Sequence, residues 1–502
     1  MPFNSIFAWM MKKRIHQIDL FRKNPLQVQD ELFGNLIRTG AKTTYGAIND
    51  FKMIGSYDDY RKNIPLQTYD GFKPWIERAM EGEKNLLWPE KTKWFAKSSG
   101  TTSRSKFIPV SKESLRDCHY NGGKDLLAMY YDNHPKRKLY KGKHLIIGGS
   151  AEINHLSSDS YFGDLSAIIV KNLPWYIEIR RTPSREITLM TDWEEKIEKM
   201  ALSTMKEDVY IIAGVPSWTL ILANKVLELS GKSNLKEVWP NLELFMHGGV
   251  SFEPYKDEFK KLIPDDKMNY VQTYNASEGF FGIQDLIDSD EMLLMLDYGI
   301  FYEFIPMSSY DGVHSKTVLS LGEVEENVNY AMVITTNAGL WRYILGDTVK
   351  FTNLSPFRFK ITGRVNSFIN TFGEELIVEQ TELAIAEACK KTNAILKEYT
   401  AAPVYMEGNG KGGHEWLIEF IQSPSNLDEF SAVLDEFLCQ TNSDYDAKRK
   451  GNMLLDSPVI VNVKTGTFDA WLNGKGKLGG QNKIPRLSND RKIIEEIKKH
   501  AQ

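Results

Sequence analysis

A chain of 502 residues, 42% apolar and 25% charged, has material for more than one hydrophobic core and lacks the composition of a disordered or fibrous protein. Its formal net charge of -4 supplies no positive field for a polyphosphate backbone, which argues against nucleic acid as a partner. The three cysteines, Cys118, Cys389 and Cys439, lie far apart without metal-ligand spacing, so a disulfide framework is disfavoured and a reducing, cytoplasmic setting is expected.

In chain order, MPFNSIFAWMMKKRIHQIDLF spaces Ile6, Trp9, Met10, Ile18 and Phe21 as an amphipathic helix. Its apolar residues precede its basic ones and no small-residue cleavage site follows, which favours a helix docked on the protein's own core over a leader or a membrane-surface segment. WFAKSSGTTSRSKFIPVS, residues 94–111, then sets small hydroxylated residues between an aromatic stretch and a lysine. Hydroxyls donate to phosphate oxygens, Gly100 permits close approach and Lys106 supplies charge, so the stretch reads as a phosphate-binding loop without Walker spacing. An ordinary Ser/Thr surface loop is the competing reading.

Apolar bursts at KHLIIGG, VYIIAG, LELFMHGG and MNYVQTYNASEG read as strands, several of them separated by helix-length segments such as TDWEEKIEKMALSTMK and WTLILANKVLELSGK. Strands alternating with helices predict an α/β domain with a largely parallel sheet, whose ligands sit beyond the carboxyl ends of the strands. Gly248, Gly249 and the segment from Tyr274 to Gly279 fall at such ends and are candidate site walls. The run VYIIAGVPSWTLILAN is too short for a bilayer and is broken by Gly214 and Pro216, so no membrane span is expected.

From about residue 290 the texture changes to β-branched, turn-separated runs, which predict antiparallel strands or a small barrel. After Arg364 a helix, a hairpin, a second helix and a further strand read as a separate α+β unit. The expected division is 1–361, a hinge at 362–366 and a small mobile domain over 367–502. Three glycine-rich matches read as decoys. LELSGKS has Val226 where a Walker loop needs glycine and is a helix end, GNGKGG sits in a hairpin turn, and GKGKLG is a lysine-bearing loop.

SSGTTSRSKFIP, YNASEG, LWRYILGDTVKF and TGR followed by FINTFGEEL resemble, in this order, the signatures of adenylate-forming enzymes: acyl-CoA synthetases, adenylation domains and luciferases. TTYG, FAKSSGTT, AGVPSW, YNASEGFFG, LWRYILGD and GQNKIPRL are more narrowly similar to the auxin-responsive acyl acid-amido synthetases and their microbial relatives, over nearly the whole chain. The resemblance implies a large adenylating domain with β-sheets and a barrel-like part, and a small C-terminal lid. It implies a reaction in which a carboxylic acid attacks the α-phosphate of ATP, pyrophosphate leaves, and an amino acid amine converts the acyl-adenylate to an amide and AMP.

By the same resemblance Ser98, Ser99, Gly100, Thr101, Thr102 and Lys106 hold phosphate, and Glu278 holds Mg²⁺. Tyr274 stacks on adenine within a wall that includes Gly249, Asn275 and Ser277, Asp347 accepts from the ribose hydroxyls, and Arg364 marks the hinge. Lys483 in GQNKIPR reaches the nucleotide when the lid closes. Tyr120, Trp218 and Phe281 are aromatic candidates for the acyl pocket, consistent with an aryl or hydrophobic acid. Two other readings stay open: a ligase that passes the same adenylate to a thiol such as coenzyme A, and a non-catalytic protein that binds an acyl acid or a nucleotide. The acid, the acceptor and the oligomeric state are left unassigned.

Overall fold

The computed structural model describes the chain apart from residues 1, 99–105, 136–140, 149–152, 158, 191, 250–251, 253–254, 288, 366–367, 370–373, 375, 406–411, 450–454, 476–483, 489 and 502. The apolar bursts form parallel strands: Lys143–Ile146, Val209–Gly214, Leu244–Gly248 and Asn269–Ala276 lie side by side. Successive side chains point to opposite faces of a strand, and both faces here are covered. Ile212 and Phe245 pack with the helices Trp193–Thr204 and Pro216–Ser230, while Ile211 and Leu244 belong to the main core with Leu126 and Met129 of the helix Tyr120–Asn133. Pro216 opens its helix at a position that needs no N–H donor, and Gly231 closes it at φ 65°, so LELSGKS is a helix stop.

The later strands continue the same hydrogen-bonded sheet. Gly279–Ile283 pairs antiparallel with Asn269–Ala276, and Met292–Leu294, Phe357–Arg364, Tyr343–Leu354, Asn329–Thr336, Ile300–Pro306 and Leu319–Ser320 follow in spatial order. A second sheet joins Trp94–Ser98 antiparallel to Lys106–Val110 and parallel to Ser160–Gly163. The N-terminal helix, Pro2–Lys23, docks on the protein's own core through Ile18 and Phe21. No helix among the described residues is long and apolar enough to cross a membrane.

From Ile369 onward the buried apolar residues form two clusters of their own. One lies between the helices Val378–Thr392 and Leu427–Thr441 and a three-stranded sheet; the other gathers Phe468, Trp471, Ile494 and Ile497. The hairpin Ile395–Val404 with Gly413–Gln422 brackets the GNGKGG stretch, with Val404 opposite Gly413.

Candidate active site

The carboxyl ends of the parallel strands open on a cleft of about 2040 Å³, bordered there by Gly148, Gly214, Gly248 and Gly249. Glycine is required at two of these positions. A Cβ on Gly248 would stand 2.5 Å from the Thr273 carbonyl oxygen, and Gly249 turns the chain at φ 85°. On the next strand Asn269–Ala276 leads through a tight turn into Gly279–Ile283, which carries Asn275, Ser277 and Glu278 onto the cleft wall.

Across the sheet Asp347 and Arg364 are register partners on neighbouring antiparallel strands, and Arg364 Nε stands 3.0 Å from Asp347 Oδ1. The Tyr274 hydroxyl donates to Asp347 Oδ2 at 2.6 Å. Burial and the Asp347 charge both raise the Tyr274 pKa, so the phenol stays protonated and keeps donating. Glu278 is half-buried; desolvation, and to a smaller degree the Asp347 charge, push its pKa up to about 7 against the pull of Lys106 and Arg364. Lys106, at the start of its strand, also stands 5.7 Å from the centre of the Tyr69 ring.

Four of the expected residues, Tyr274, Glu278, Asp347 and Arg364, therefore meet in one cluster with Lys106 beside it. Gly249, Asn275, Ser277 and Trp218 line the same cleft. The Asn275 side-chain oxygen stands 3.3 Å from Nδ1 of His119, a ring that burial keeps neutral with a pKa lowered to about 4. Ser98 ends its strand opposite Lys106, so both ends of the hydroxyl-rich stretch are anchored. The Ser98 side chain, Ser99, Gly100, Thr101, Thr102 and Lys483 lie outside the described residues, although Ile484 to Leu487 border the cleft.

Two aromatic expectations are corrected. Phe281 is fully buried between Tyr274 and Tyr302, and its neighbour Phe280 lines the cleft instead. Tyr120 turns away from the cleft and donates to the Asn172 carbonyl at 2.7 Å; the wall is made one turn later by Gly123, Leu126 and Tyr130. Those three recur at helical spacing, a signal that was available in the sequence.

Residues 14–268 match the GH3 family N-terminal domain, 293–364 its central domain and 379–492 its C-terminal domain. The chain belongs to the GH3 family. Among curated relatives, the 4-substituted benzoates-glutamate ligase GH3.12 of Arabidopsis thaliana is 24% identical over 573 aligned residues, covering 96% of each chain. Among solved structures, the GH3.15 acyl acid amido synthetase in complex with 2,4-DB superposes with a TM-score of 0.80 at 17% identity, over 98% of this chain and 96% of that one. A 2-hydroxyisobutyryl-CoA ligase in complex with 2-HIB-AMP shares the fold at a TM-score of 0.60 and 12% identity, over 94% and 92% of the two chains.

Within the GH3 frame, Asp347 and Arg364 belong to the central match, Lys106 to the N-terminal match, and Tyr274 and Glu278 to the stretch between the two. Chemically, the cluster offers one fixed carboxylate, one carboxylate poised near neutrality and two cations. Asp347 has spent one lone pair on each oxygen and keeps acceptor capacity for two further donors. No group of three or more His, Cys, Asp or Glu side chains placed to hold a metal occurs among the described residues. Glu278 fits the other way of holding a hard cation, with phosphate oxygens completing the sphere.

Proposed function

We propose that this GH3 protein is an ATP-dependent acyl acid-amido synthetase that joins a small aryl or hydrophobic carboxylic acid to an amino acid. The observation that carries this reading is the placing of Asp347, clamped by Tyr274 and Arg364, beside Glu278 on the wall of the cleft. Asp347 accepts from both ribose hydroxyls with its remaining lone pairs. The residues that would hold Mg²⁺ are Glu278 and the nucleotide's own oxygens; the ion supplies charge neutralisation on the phosphates.

Lys106 faces the same phosphates, and the stretch Ser98, Ser99, Gly100, Thr101 and Thr102, which its strand follows, donates hydroxyl and amide hydrogens to them. Aligning an acid carboxylate with the α-phosphate is then mainly a matter of position and charge. Because the Tyr274 ring is buried against Phe281 at 4.8 Å, we assign it to holding Asp347 in place as well as to bordering the adenine. The acid lies against Leu126, Tyr130, Phe280 and Trp218, an apolar wall that favours an aryl or alkyl body.

We place the hinge at 362–366, with 367–502 as a lid that swings between the two half-reactions and delivers Lys483 to the nucleotide. The deciding experiment is mass spectrometry of purified protein with ATP, Mg²⁺, pooled 4-substituted benzoates and alkyl acids, the common amino acids and coenzyme A. An acid–amino acid conjugate with AMP is expected; an acyl thioester would reassign the acceptor and leave the adenylation half standing. Replacing Thr101 and Thr102 together by alanine should abolish acid-dependent ATP–pyrophosphate exchange, and undiminished exchange would remove the stretch from the phosphates.

A further inference from the structure

Beside the phosphate stem lies a polar cluster that the adenylation chemistry leaves unused. The strands Trp94–Ser98 and Ser160–Gly163 run parallel with Ala96 opposite Gly163, so Lys97 and Asp164 leave them side by side, just before the hydroxyl-rich stretch begins. Asp164 precedes the helix Leu165–Lys171 at the position where an aspartate ordinarily caps, yet its side chain makes no cap bond. Its Oδ2 is buried without a hydrogen-bond partner, and so is the hydroxyl of Ser166.

Two buried oxygens without partners are costly unless a donor arrives. Ser166 lines the main cleft, and a Cβ on Gly148, at the carboxyl end of its strand, would stand 3.4 Å from the Ser166 hydroxyl. Lys196, fully buried, donates to the Gly148 carbonyl at 2.9 Å and closes the patch from below. Both lysines act on Asp164, yet desolvation outweighs them and raises its pKa to about 6, which suits a group that accepts a proton near neutral pH.

We propose that Asp164 and Ser166 form the seat of the acceptor amine, and that Asp164 takes the amine's proton; this rests on the amide-ligase reading above. The incoming amino acid places its ammonium group against Asp164 Oδ2 and the Ser166 oxygen, and its own carboxylate faces the exposed Lys97. The ammonium proton passes to Asp164, and the freed nitrogen lone pair attacks the acyl carbon of the adenylate. The bond from that carbon to the phosphate oxygen breaks, its electron pair leaves with AMP, and the second proton shed by the new amide nitrogen goes to water. A thiol acceptor would have no use for the paired charges of Asp164 and Lys97.

Acid-dependent ATP–pyrophosphate exchange reads the first step without any amine, and AMP release with pooled amino acids reads the second. In Asp164→Asn the ratio of amine-dependent AMP release to exchange should fall about 100-fold, the ordinary scale of general-base catalysis. Hydroxylamine, largely unprotonated at neutral pH, should restore release in that variant because it needs no base. Ser166→Ala should raise the amino acid KM ~5-fold, the loss of one hydrogen bond. An equal loss in both half-reactions, an unchanged ratio, or no rescue by hydroxylamine would overturn the assignment. Wild-type protein that exchanges with no acid would instead remove the amide-ligase reading beneath it, and that outcome is visible before any variant is made.

Discussion

Two of the carboxylate–arginine sets among the described residues are finished differently. Under the N-terminal helix Arg14 bonds Asp125 through Nε and Nη2 and Asp297 through Nη1 and Nη2, while the Tyr298 hydroxyl donates to Asp125 Oδ2 at 2.6 Å. Each carboxylate there has a bond from the one arginine, and the set joins three segments distant in sequence. In the cleft Asp347 is held by Tyr274 and Arg364, but no ion pair closes Glu278 among the described residues, and burial pushes its carboxyl up to about 7. Burial raises the Asp125 carboxyl as well, but there Arg14 and the Tyr298 hydroxyl pull directly against it, whereas Glu278 has no such bonded partner among the described residues, which suits a site that must meet a cation and phosphates.

The largest effect expected is at the closed set. Arg14→Ala leaves Asp125 and Asp297 without their cation, and chemical denaturation should show a loss of about 3–5 kcal/mol, with the ATP KM of the remaining folded protein unchanged. A loss below ~1 kcal/mol would make the set another weak surface pair and dissolve the contrast. Asp347→Ala should do the reverse. Removing charged hydrogen bonds worth ~1.5–3 kcal/mol each should raise the ATP KM in pyrophosphate exchange about 100-fold, while the stability loss stays below that of Arg14→Ala, because the buried Tyr274 hydroxyl loses its acceptor but Arg364 is partly exposed to water. An unchanged KM would take Asp347 off the nucleotide.

Glu278 gives a smaller, pH-dependent effect. Its proton is held more tightly in the folded chain than at the ordinary 4.5, so the ionised form needed opposite a cation is lost as pH falls through about 7. Exchange at sub-saturating ATP should drop about tenfold per unit below that pH, and Glu278→Gln should be slow and free of that limb. Stability runs the other way. The fold favours the neutral carboxyl, so this group's contribution improves as pH falls from 7 towards 4.5, and Glu278→Gln should not lower the melting temperature at pH 8.

The sheet half of this arrangement was legible in the sequence because Lys143–Ile146, Val209–Gly214 and Leu244–Gly248 are apolar bursts closed by or just before glycine, and Gly231 announced its helix end. The cluster of Tyr274, Glu278, Asp347 and Arg364 was legible only through motif wording, since the contacts that assemble it cross 73 residues of sequence. Strand alternation offers no choice between Phe280 and Phe281. All five residues of Gly279–Ile283 are buried and the register shifts between Phe280 and Gly282, so no polar position marks which face is which. Arg14 carries no motif that would single it out, because its partners Asp125 and Asp297 are brought to it only by the tertiary fold. Asp164 carried no motif at all; its meaning lies in an oxygen left without a partner.

The smallest effect tests whether the open set is pre-built or assembled by its ligand. Tyr274→Phe removes one donor from Asp347 and keeps both the ring and the Arg364 bond, so the carboxylate loses orientation but not its charge. The ATP KM should rise ~5-fold, the value of about 1 kcal/mol for one hydrogen bond, and far less than for Asp347→Ala. Because the Tyr274 ring is buried, any stacking it gives adenine survives the change, and the effect isolates the hydroxyl. If Tyr274→Phe proved as damaging as Asp347→Ala, the phenol itself would meet the nucleotide and the clamp would be secondary. If it did nothing, Arg364 alone would fix Asp347, and the cleft carboxylate would be held by a single partner where Asp125 has two.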